Sequence, residues 1–353
     1  MGVTIYDLAR EAGVGIGTVS RCLNNHPSVS PETRAKVLSV VKRLSYQPHA
    51  YAQRLASRQA NTISAIIPFF TNHFFVEVLR GVQGKSQELE VDLILYGVHN
   101  ADQVEYYLKR SLSRGHVDGV MFFSMKFPDS YVEKFQQIGL PVVLVDTHHP
   151  LFDSITVRNV DGAKSAVDHL YDLGHRQIAM INGYSGTRPA KERFEGYRRS
   201  LESHGIAVNP EFLFYSGKEK LDGFSRESGY NLMKRVLEKR NDSSSPSALF
   251  VASDIQSLGA VDAIREAGLR IPEDLALVSF DDIELARHAG LTTMRQPMYE
   301  MGSLAVSWLK ARMKDPDLSP REETFLPELI IRRSCGSTAR VTQSPASGRG
   351  AMV

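Results

Sequence analysis

The sequence predicts two folds in one chain: a small all-α helix-turn-helix headpiece, then an α/β body of two doubly wound parallel-sheet lobes. Three observations point to this. At 353 residues the chain exceeds one ordinary core, since domains usually hold about 100–200 residues. Its first sixty residues carry eight Lys/Arg against three acids and show only short helical periodicities. From residue 61 onward, apolar runs alternate with amphipathic helices, the pattern of βαβ units around a buried parallel sheet. A composition 42% hydrophobic and 23% charged is that of a packed globular chain and excludes disordered and fibrous classes.

The headpiece is read in order. Thr4 is an N-cap with Asp7 three residues on, and Ile5, Leu8, Ala9 and Ala12 repeat at helical spacing until Gly13, which sets a first helix over 5–12. A tight Gly13-Val14-Gly15 turn leads to a second run from Ile16 to Leu23. Val19, Leu23 and Cys22 turn inward there, while Thr18, Ser20 and Arg21 stay polar. Two short helices across a Gly-containing turn of three residues form the helix-turn-helix pattern. Ser30 caps a third helix with Pro31 at its first position, and Val37, Leu38, Val41 and Leu44 form its expected apolar stripe. Such a unit lays its second helix in the major groove of DNA. The excess of basic charge fits a surface that faces phosphates. Residues 1–46 are taken as this headpiece and 47–60 as a linker, where Tyr51, Ala52, Leu55 and Ala56 suggest a helix of two turns, marginal on its own.

The body begins with TISAIIP, a helix near Phe74–Leu89, VDLILYGV, a helix near Val104–Ser113, DGVMFFS and PVVLVDT. A second series follows: RQIAMING, a helix over Ala190–His204, FLFYS, a helix over Gly223–Leu237, ALFVAS, a helix over Leu258–Ala267 and LALVSFDD. Ligands of such sheets bind outside the carboxyl ends of the strands, which in a two-lobed body means the cleft between the lobes. The strand ends nominate Asn72, Phe74, Phe75, Ser124, Asp146, Ser253, Asp254 and Phe280–Asp282. The body is expected to end near 335. Residues 336–353 are small, polar and aperiodic, and are expected to be disordered.

Beyond these patterns, the string TIYDLAREAGVGIGTVSRCLNNHPSVSPETRAKVLSVVKRLSYQPHAYAQRLA resembles the headpiece and linker of the LacI/GalR family of bacterial regulators along its full length. The resemblance implies that Ile16 and Gly17 hold the variable specificity positions of the recognition helix and that Arg21 contacts bases or phosphates. It also implies that Thr4, Tyr6, Thr18, Ser20 and Asn24 position the DNA backbone. In the linker it implies a hinge helix in which Leu55 wedges into the minor groove, Ala52 lets two hinge helices approach, and Arg54 and Arg58 meet phosphates. Gly15 departs from the serine usual at its position, and His49 from asparagine.

The body resembles the core of the same family, itself similar to periplasmic sugar-binding proteins, through Asn72-His73-Phe74-Phe75, His116-Val117-Asp118-Gly119, Gly174-His175-Arg176, Arg193-Phe194-Glu195-Gly196, Ser253-Asp254, Phe280-Asp281-Asp282 and Leu291-Thr292-Thr293. By that resemblance Arg193 and Asp281 are the leading effector contacts, with Phe74, Asp161 and Ser253 behind them. A guanidinium donates directionally and a carboxylate accepts from paired hydroxyls, which suits a sugar or another polyol. His73 and Arg158 depart from the pattern, at positions where proline and aspartate are usual; the added cation either lies near the cleft, which would suit a phosphorylated or acidic effector, or, by preference, sits on the surface. The family pattern places chain crossings between the lobes near Gly174, Thr293 and Thr324, giving an N-lobe of about 61–173 and 294–323 and a C-lobe of about 174–292 and 324–335.

The expected function is therefore a cytoplasmic, homodimeric repressor, with a tetramer also open, that binds pseudo-palindromic double-stranded operator DNA. A small effector in the cleft, a carbohydrate by preference, modulates it. A regulator of the same fold that is effector-independent or activating is the alternative, and a solute-binding protein is disfavoured by the headpiece. No enzyme, cofactor or metal is expected. Cys22 and Cys335 lie far apart, and no Gly-rich phosphate loop, GxSxG elbow or HExxH is present. No apolar run reaches the roughly 18 residues of a membrane span.

Overall fold

The computed structural model describes residues 3–23, 26–44, 46, 61–68, 72–113, 116–217, 223–240 and 245–337. The chain divides into two compact units, 1–60 and 61–353. The linker positions Ala52, Arg54 and Leu55, with Asn24, lie outside the described residues, as does the tail from 338.

In the first unit, α1 (Ile5–Ala12), α2 (Ile16–Leu23) and α3 (Pro31–Arg43) follow one another. A capping box starts α1: the Thr4 hydroxyl accepts from the Asp7 N–H, and the Asp7 carboxylate accepts from the Thr4 N–H at 3.0 Å. Gly13 ends the helix at φ 63°, a left-handed turn that a side chain would strain. Leu8, Ala9, Ala12, Val19, Cys22, Val37, Val40 and Tyr46 form a separate small core. One expectation changes here. Leu38 is 46% exposed, and the stripe of α3 runs through Val37, Val40, Val41 and Leu44. The i, i+3, i+4, i+7 spacing selects these four and leaves 38 about 100° off the face.

The second unit contains two six-stranded sheets. The first is built from β1 (Thr62–Pro68), β2 (Asp92–Val98), β3 (Gly119–Phe123), β4 (Val142–Val145), β5 (Asp153–Val157) and β11 (Glu322–Phe325), in the order β11-β5-β4-β3-β1-β2 with all pairs parallel. The second is built from β6 (Ile178–Asn182), β7 (Leu213–Tyr215), β8 (Ala248–Val251), β9 (Ala276–Asp281), β10 (Thr292–Arg295) and β12 (Glu328–Ile330), in the order β12-β10-β9-β8-β6-β7. Only β12 is antiparallel to its neighbour. The helices of this unit are α4 (His73–Glu88), α5 (Ala101–Ser111), α6 (Asp129–Ile138), α7 (Asn159–Asp172), α8 (Arg188–Ser203), α9 (Arg226–Glu238), α10 (Asp254–Glu266), α11 (Glu284–Ala289) and α12 (Met298–Lys314).

Period-two alternation sends successive residues to opposite faces of a strand. In the first sheet Ile66, Val120, Phe122, Val142 and Leu144 therefore pack on one side with Val104, Leu108 and Phe135. Ala65, Ile67, Met121, Phe123, Val143 and Val145 pack on the other side with Val78, Val82, Ala305 and Leu309. Both faces are covered, which is why these strands read as continuous apolar runs. Helices α4 and α12 cross backbone on backbone. A Cβ at Gly81 would strike the Tyr299 carbonyl, and one at Gly302 the Val78 carbonyl.

Helix α7 sits on the second sheet. Ala163, Ala166, Val167 and Leu170 pack with Phe250, Val278 and Phe280, and a Cβ at Gly196 of α8 would strike the Val160 carbonyl. The first crossing is therefore at Arg158, between β5 and α7, and not near Gly174. The second lies at 296–297, between β10 and α12, and the third at 326–327, between β11 and β12. Both fall a few residues beyond Thr293 and Thr324, because those threonines are ladder residues inside β10 and β11.

Candidate functional site

On α2, Ile16 is 41% exposed. Gly17 and Arg21 are also exposed, and Thr18 and Ser20 are half-buried. The buried side of the helix is held by Val19 and Cys22, so 16, 17, 20 and 21 form its outward face. Arg21 Nε donates to the Gly17 carbonyl at 3.1 Å, which lays the guanidinium along that face. Tyr6 is 69% exposed at the start of α1. Thr4 is engaged as a cap, and its bonds hold Asp7 below the usual carboxylate range. Asp7 pairs with Arg10 at 2.8 Å and Glu11 with Arg43 at 2.7 Å, so two of the three acids are neutralised locally and Arg21 is left with no carboxylate partner among the described residues.

In the second unit a narrow cleft opens between the carboxyl ends of the two sheets, where small ligands of such folds are held. Asn72, Phe74, Phe75, Ser124 and Asp146 line it from the first lobe. Thr187, Pro189, Arg193, Phe224, Ser253, Ile255 and Asp281 line it from the second. The lining comes from strand ends and helix starts. Ser124, Asp146 and Asp281 hold φ of 53°, 57° and 122° just past or at the ends of β3, β4 and β9. Strained non-glycine backbone of this kind gathers at functional sites. Asn72, Thr187 and Ser253 are the N-caps of α4, α8 and α10. Asn72 Nδ2 also donates across the cleft to the Phe224 carbonyl at 3.3 Å.

Arg193, 4% exposed, is the one cation among the described lining residues. Its Nε donates to Asn159 Oδ1 at 3.0 Å, and Nη1 donates to the Ala252 carbonyl and lies 3.5 Å from Asp281 Oδ1. The guanidinium stacks over the Phe280 ring, 3.9 Å from its centroid. No hydrogen bond from Nη2 is made among the described residues. All these contacts lie within the second lobe, so the Arg193–Asp281 pair does not bridge the two. Burial pushes the Asp281 carboxyl up, with Asp254 pushing the same way and Arg193 opposing. Burial also raises Asp146, against a bond from the Ser124 hydroxyl at 2.7 Å and the field of Arg193. The described residues of the site therefore offer carboxyl groups, hydroxyls, one guanidinium and aromatic faces.

Phe74, Arg193, Ser253 and Asp281 meet in this cleft. Asp161 does not: it pairs with Arg158 at 2.6 Å on the outer side of α7, with 44% of its side chain exposed. Asn159, Gly162, Ala163 and Ala166 take the inward face of that helix, so 161 must turn outward. The same pair accounts for Arg158 as a surface cation. Thr187, Pro189, Phe224 and Ile255 were not singled out from sequence. The first two had a signal, since a threonine followed by a proline after RQIAMING marks a helix start at a strand end. Among the described residues no three His, Cys, Asp or Glu side chains gather as a metal set, and no described helix is long and apolar enough to cross a membrane.

Comparisons with known proteins agree with both halves. Residues 4–49 match the profile of bacterial regulatory proteins of the lacI family, and residues 167–335 match a periplasmic binding protein-like domain. The ribose operon repressor of Haemophilus influenzae is 35% identical over 341 residues, 94% of this chain and 98% of that protein. Catabolite control protein A of Priestia megaterium is 33% identical over 319 residues, 89% of this chain and 93% of that protein. The structure of the lac repressor dimer bound to operator and the anti-inducer ONPF superposes with a TM-score of 0.79 at 26% identity, covering 95% of this chain and 99% of that one. With an outward-facing helix-turn-helix, a two-lobed body and relatives matched almost end to end, the chain belongs to the lacI family of DNA-binding bacterial transcriptional regulators.

Proposed function

We propose that the protein is a homodimeric repressor of a pseudo-palindromic operator, governed by an uncharged sugar or sugar derivative held between the lobes. The observation that carries the effector class is that Arg193 is the one cation among the described lining residues and that its Nε and Nη1 are already held by Asn159 and the Ala252 carbonyl. Its guanidinium also faces Asp281, and its neighbour Arg188 pairs with Glu192. A phosphate or carboxylate would enter beside two carboxyl groups with no spare cation among the described residues. A neutral polyol can donate to both carboxyls, accept from Arg193 Nη2 and lay its apolar face on Phe74 or Phe224.

Helix α2 is proposed to read the major groove with Ile16 against a thymine methyl and Arg21 against base edges or phosphates. Gly17 contributes no side-chain bond, so Arg21 and the linker residue Leu55 carry more of the recognition. Ala52 and Arg54 are assigned to the paired hinge on the sequence resemblance. Effector binding shifts affinity for DNA only by its differential affinity for the two lobe arrangements.

Calorimetric titration with D-ribose, D-galactose and D-glucose, beside ribose 5-phosphate and glucuronate, tests the effector class. A neutral sugar is expected to bind best, and tighter binding of the phosphorylated or acidic compounds sinks the assignment. For the DNA half, duplexes enriched from a random pool are expected to be pseudo-palindromic. Wild-type affinity in both Arg21→Ala and Leu55→Ala at matched salt would remove the headpiece assignment.

A further inference from the structure

Behind the cleft, the second crossing is tied directly to a residue that faces the ligand space. Gln296 lies between β10 and α12 and is 2% exposed. Its Nε2–H donates to Asp281 Oδ1 at 2.6 Å, and its backbone N–H donates to the Asp281 carbonyl at 3.1 Å. The Oε1 of the same amide is buried and has no partner among the described residues. An unsatisfied buried acceptor is costly, and it marks an arrangement that a different lobe angle could relieve. Asp282 is clamped alongside. Arg295, just before the crossing, donates to Oδ2 at 2.8 Å, and Arg332, beyond β12, reaches Oδ1 at 2.6 Å. Asp281 and Asp282 both hold positive φ, 122° and 62°, so the β9 end is strained where these links converge.

The first crossing is tied to the cleft in another way: Arg193 Nε donates to Asn159 Oδ1 at 3.0 Å, and Asn159 follows Arg158 directly. Its acceptor is the Asn159 amide and not the Asp281 carboxyl. At the third crossing Leu326 and Pro327 have no polar side chain. We propose that Gln296 is a positioning residue that passes the state of the Asp281 carboxyl to the angle between the lobes. A ligand hydroxyl donating to Asp281 competes with the Gln296 amide for the same oxygen lone pairs. Loosening that bond releases the segment joining the sheets. The inference rests on the reading of this cleft as the effector site, and its test needs neither effector nor DNA.

Spin labels at Ser130→Cys and Ser203→Cys, exposed positions in the two lobes, report the inter-lobe distance in the ligand-free full chain. The native Cys22 and Cys335 are buried. Gln296→Met keeps the length of the side chain and removes the donor. It is expected to shift the ratio of the two lobe arrangements by about tenfold, the scale of one hydrogen bond to a charged group. Asp281→Ala should give the same shift, and the double variant no more than either alone, as two residues acting through one bond require. Gln296→Glu supplies the rescue. Protonated at acidic pH it donates to Asp281 and restores the wild-type distribution, and ionised at alkaline pH it repels Asp281 and opens it. A wild-type distribution in Gln296→Met, additive effects in the double variant, or equal broadening between two labels within the first lobe (Gln83→Cys with Ser130→Cys) overturns the proposal. Failure of the effector reading would show separately, as no neutral sugar binding.

Discussion

At the scale of single residues, the chemistry of Arg193 depends on a fork more than on a charge. Three fixed neighbours, Asn159, Ala252 and Asp281, and the Phe280 face hold the guanidinium plane, and the remaining edge is the one proposed to meet the ligand. Lysine would keep the positive charge beside Asp281 but lose both the plane and the second donor edge. Arg193→Lys is therefore expected to fold and to bind its sugar about tenfold or more weakly, the loss of a charge-assisted hydrogen bond. Calorimetry beside a denaturation curve checks this. Unchanged affinity in a folded variant would show that the ligand does not use that edge. Arg193 and Asp281 were legible in the sequence because they stand in recognisable strings, Arg-Phe-Glu-Gly and Phe-Asp-Asp, at a helix start and a strand end. Asp161 was misplaced for the opposite reason. Its position in the first turn of α7 could be read, but which face that helix buries depends on the sheet it packs against, and that follows from the crossing at Arg158.

At the scale of elements, most strands were legible because burial on both faces writes them as apolar runs. The runs do not say which sheet the chain has reached. That information lies in long-range contacts such as those of Asp153. This buried carboxylate at the start of β5 receives Arg312 Nη2 from α12 at 2.6 Å, Arg321 Nη2 at 2.6 Å and the Arg321 N–H at 2.8 Å. It thereby fastens the returning segment to the first sheet. Burial alone would raise its pKa, but the bonds from Arg312 and Arg321 win and hold it below the usual carboxylate range. A carboxylate with a depressed folded-state pKa contributes stability that is present above its unfolded value, about 4, and lost as pH falls through the folded value. Asp153→Asn leaves two guanidiniums without their anion and is expected to cost about 3–5 kcal/mol at neutral pH. The gap between variant and wild type should close as urea curves are taken to acid. A gap independent of pH would mean that the variant fails for reasons of packing rather than charge.

At the scale of the whole molecule, the two units have separate cores. Among the described residues the headpiece core ends at Tyr46, and the clusters of the body begin at Ile63. A fragment spanning 61–337 should therefore fold alone and keep the complete cleft, whose lining runs from Asn72 to Asp281. Any influence of the sugar on DNA affinity is a coupling between the two units. Thermodynamic reciprocity then makes a quantitative demand: whatever factor the sugar imposes on operator binding, the operator must impose on sugar binding. The fragment and the DNA-free full chain are expected to bind the sugar with equal affinity, within about threefold, as independent sites do. The chain saturated with operator duplex should differ from both by the coupling factor, commonly about 5- to 150-fold. Three calorimetric titrations of the same sugar measure all of this. If the fragment departs from the DNA-free chain, the headpiece acts on the body even without DNA. If the operator leaves sugar affinity unchanged, the cleft binds a ligand that does not regulate DNA binding, and the effector-independent alternative is the correct one.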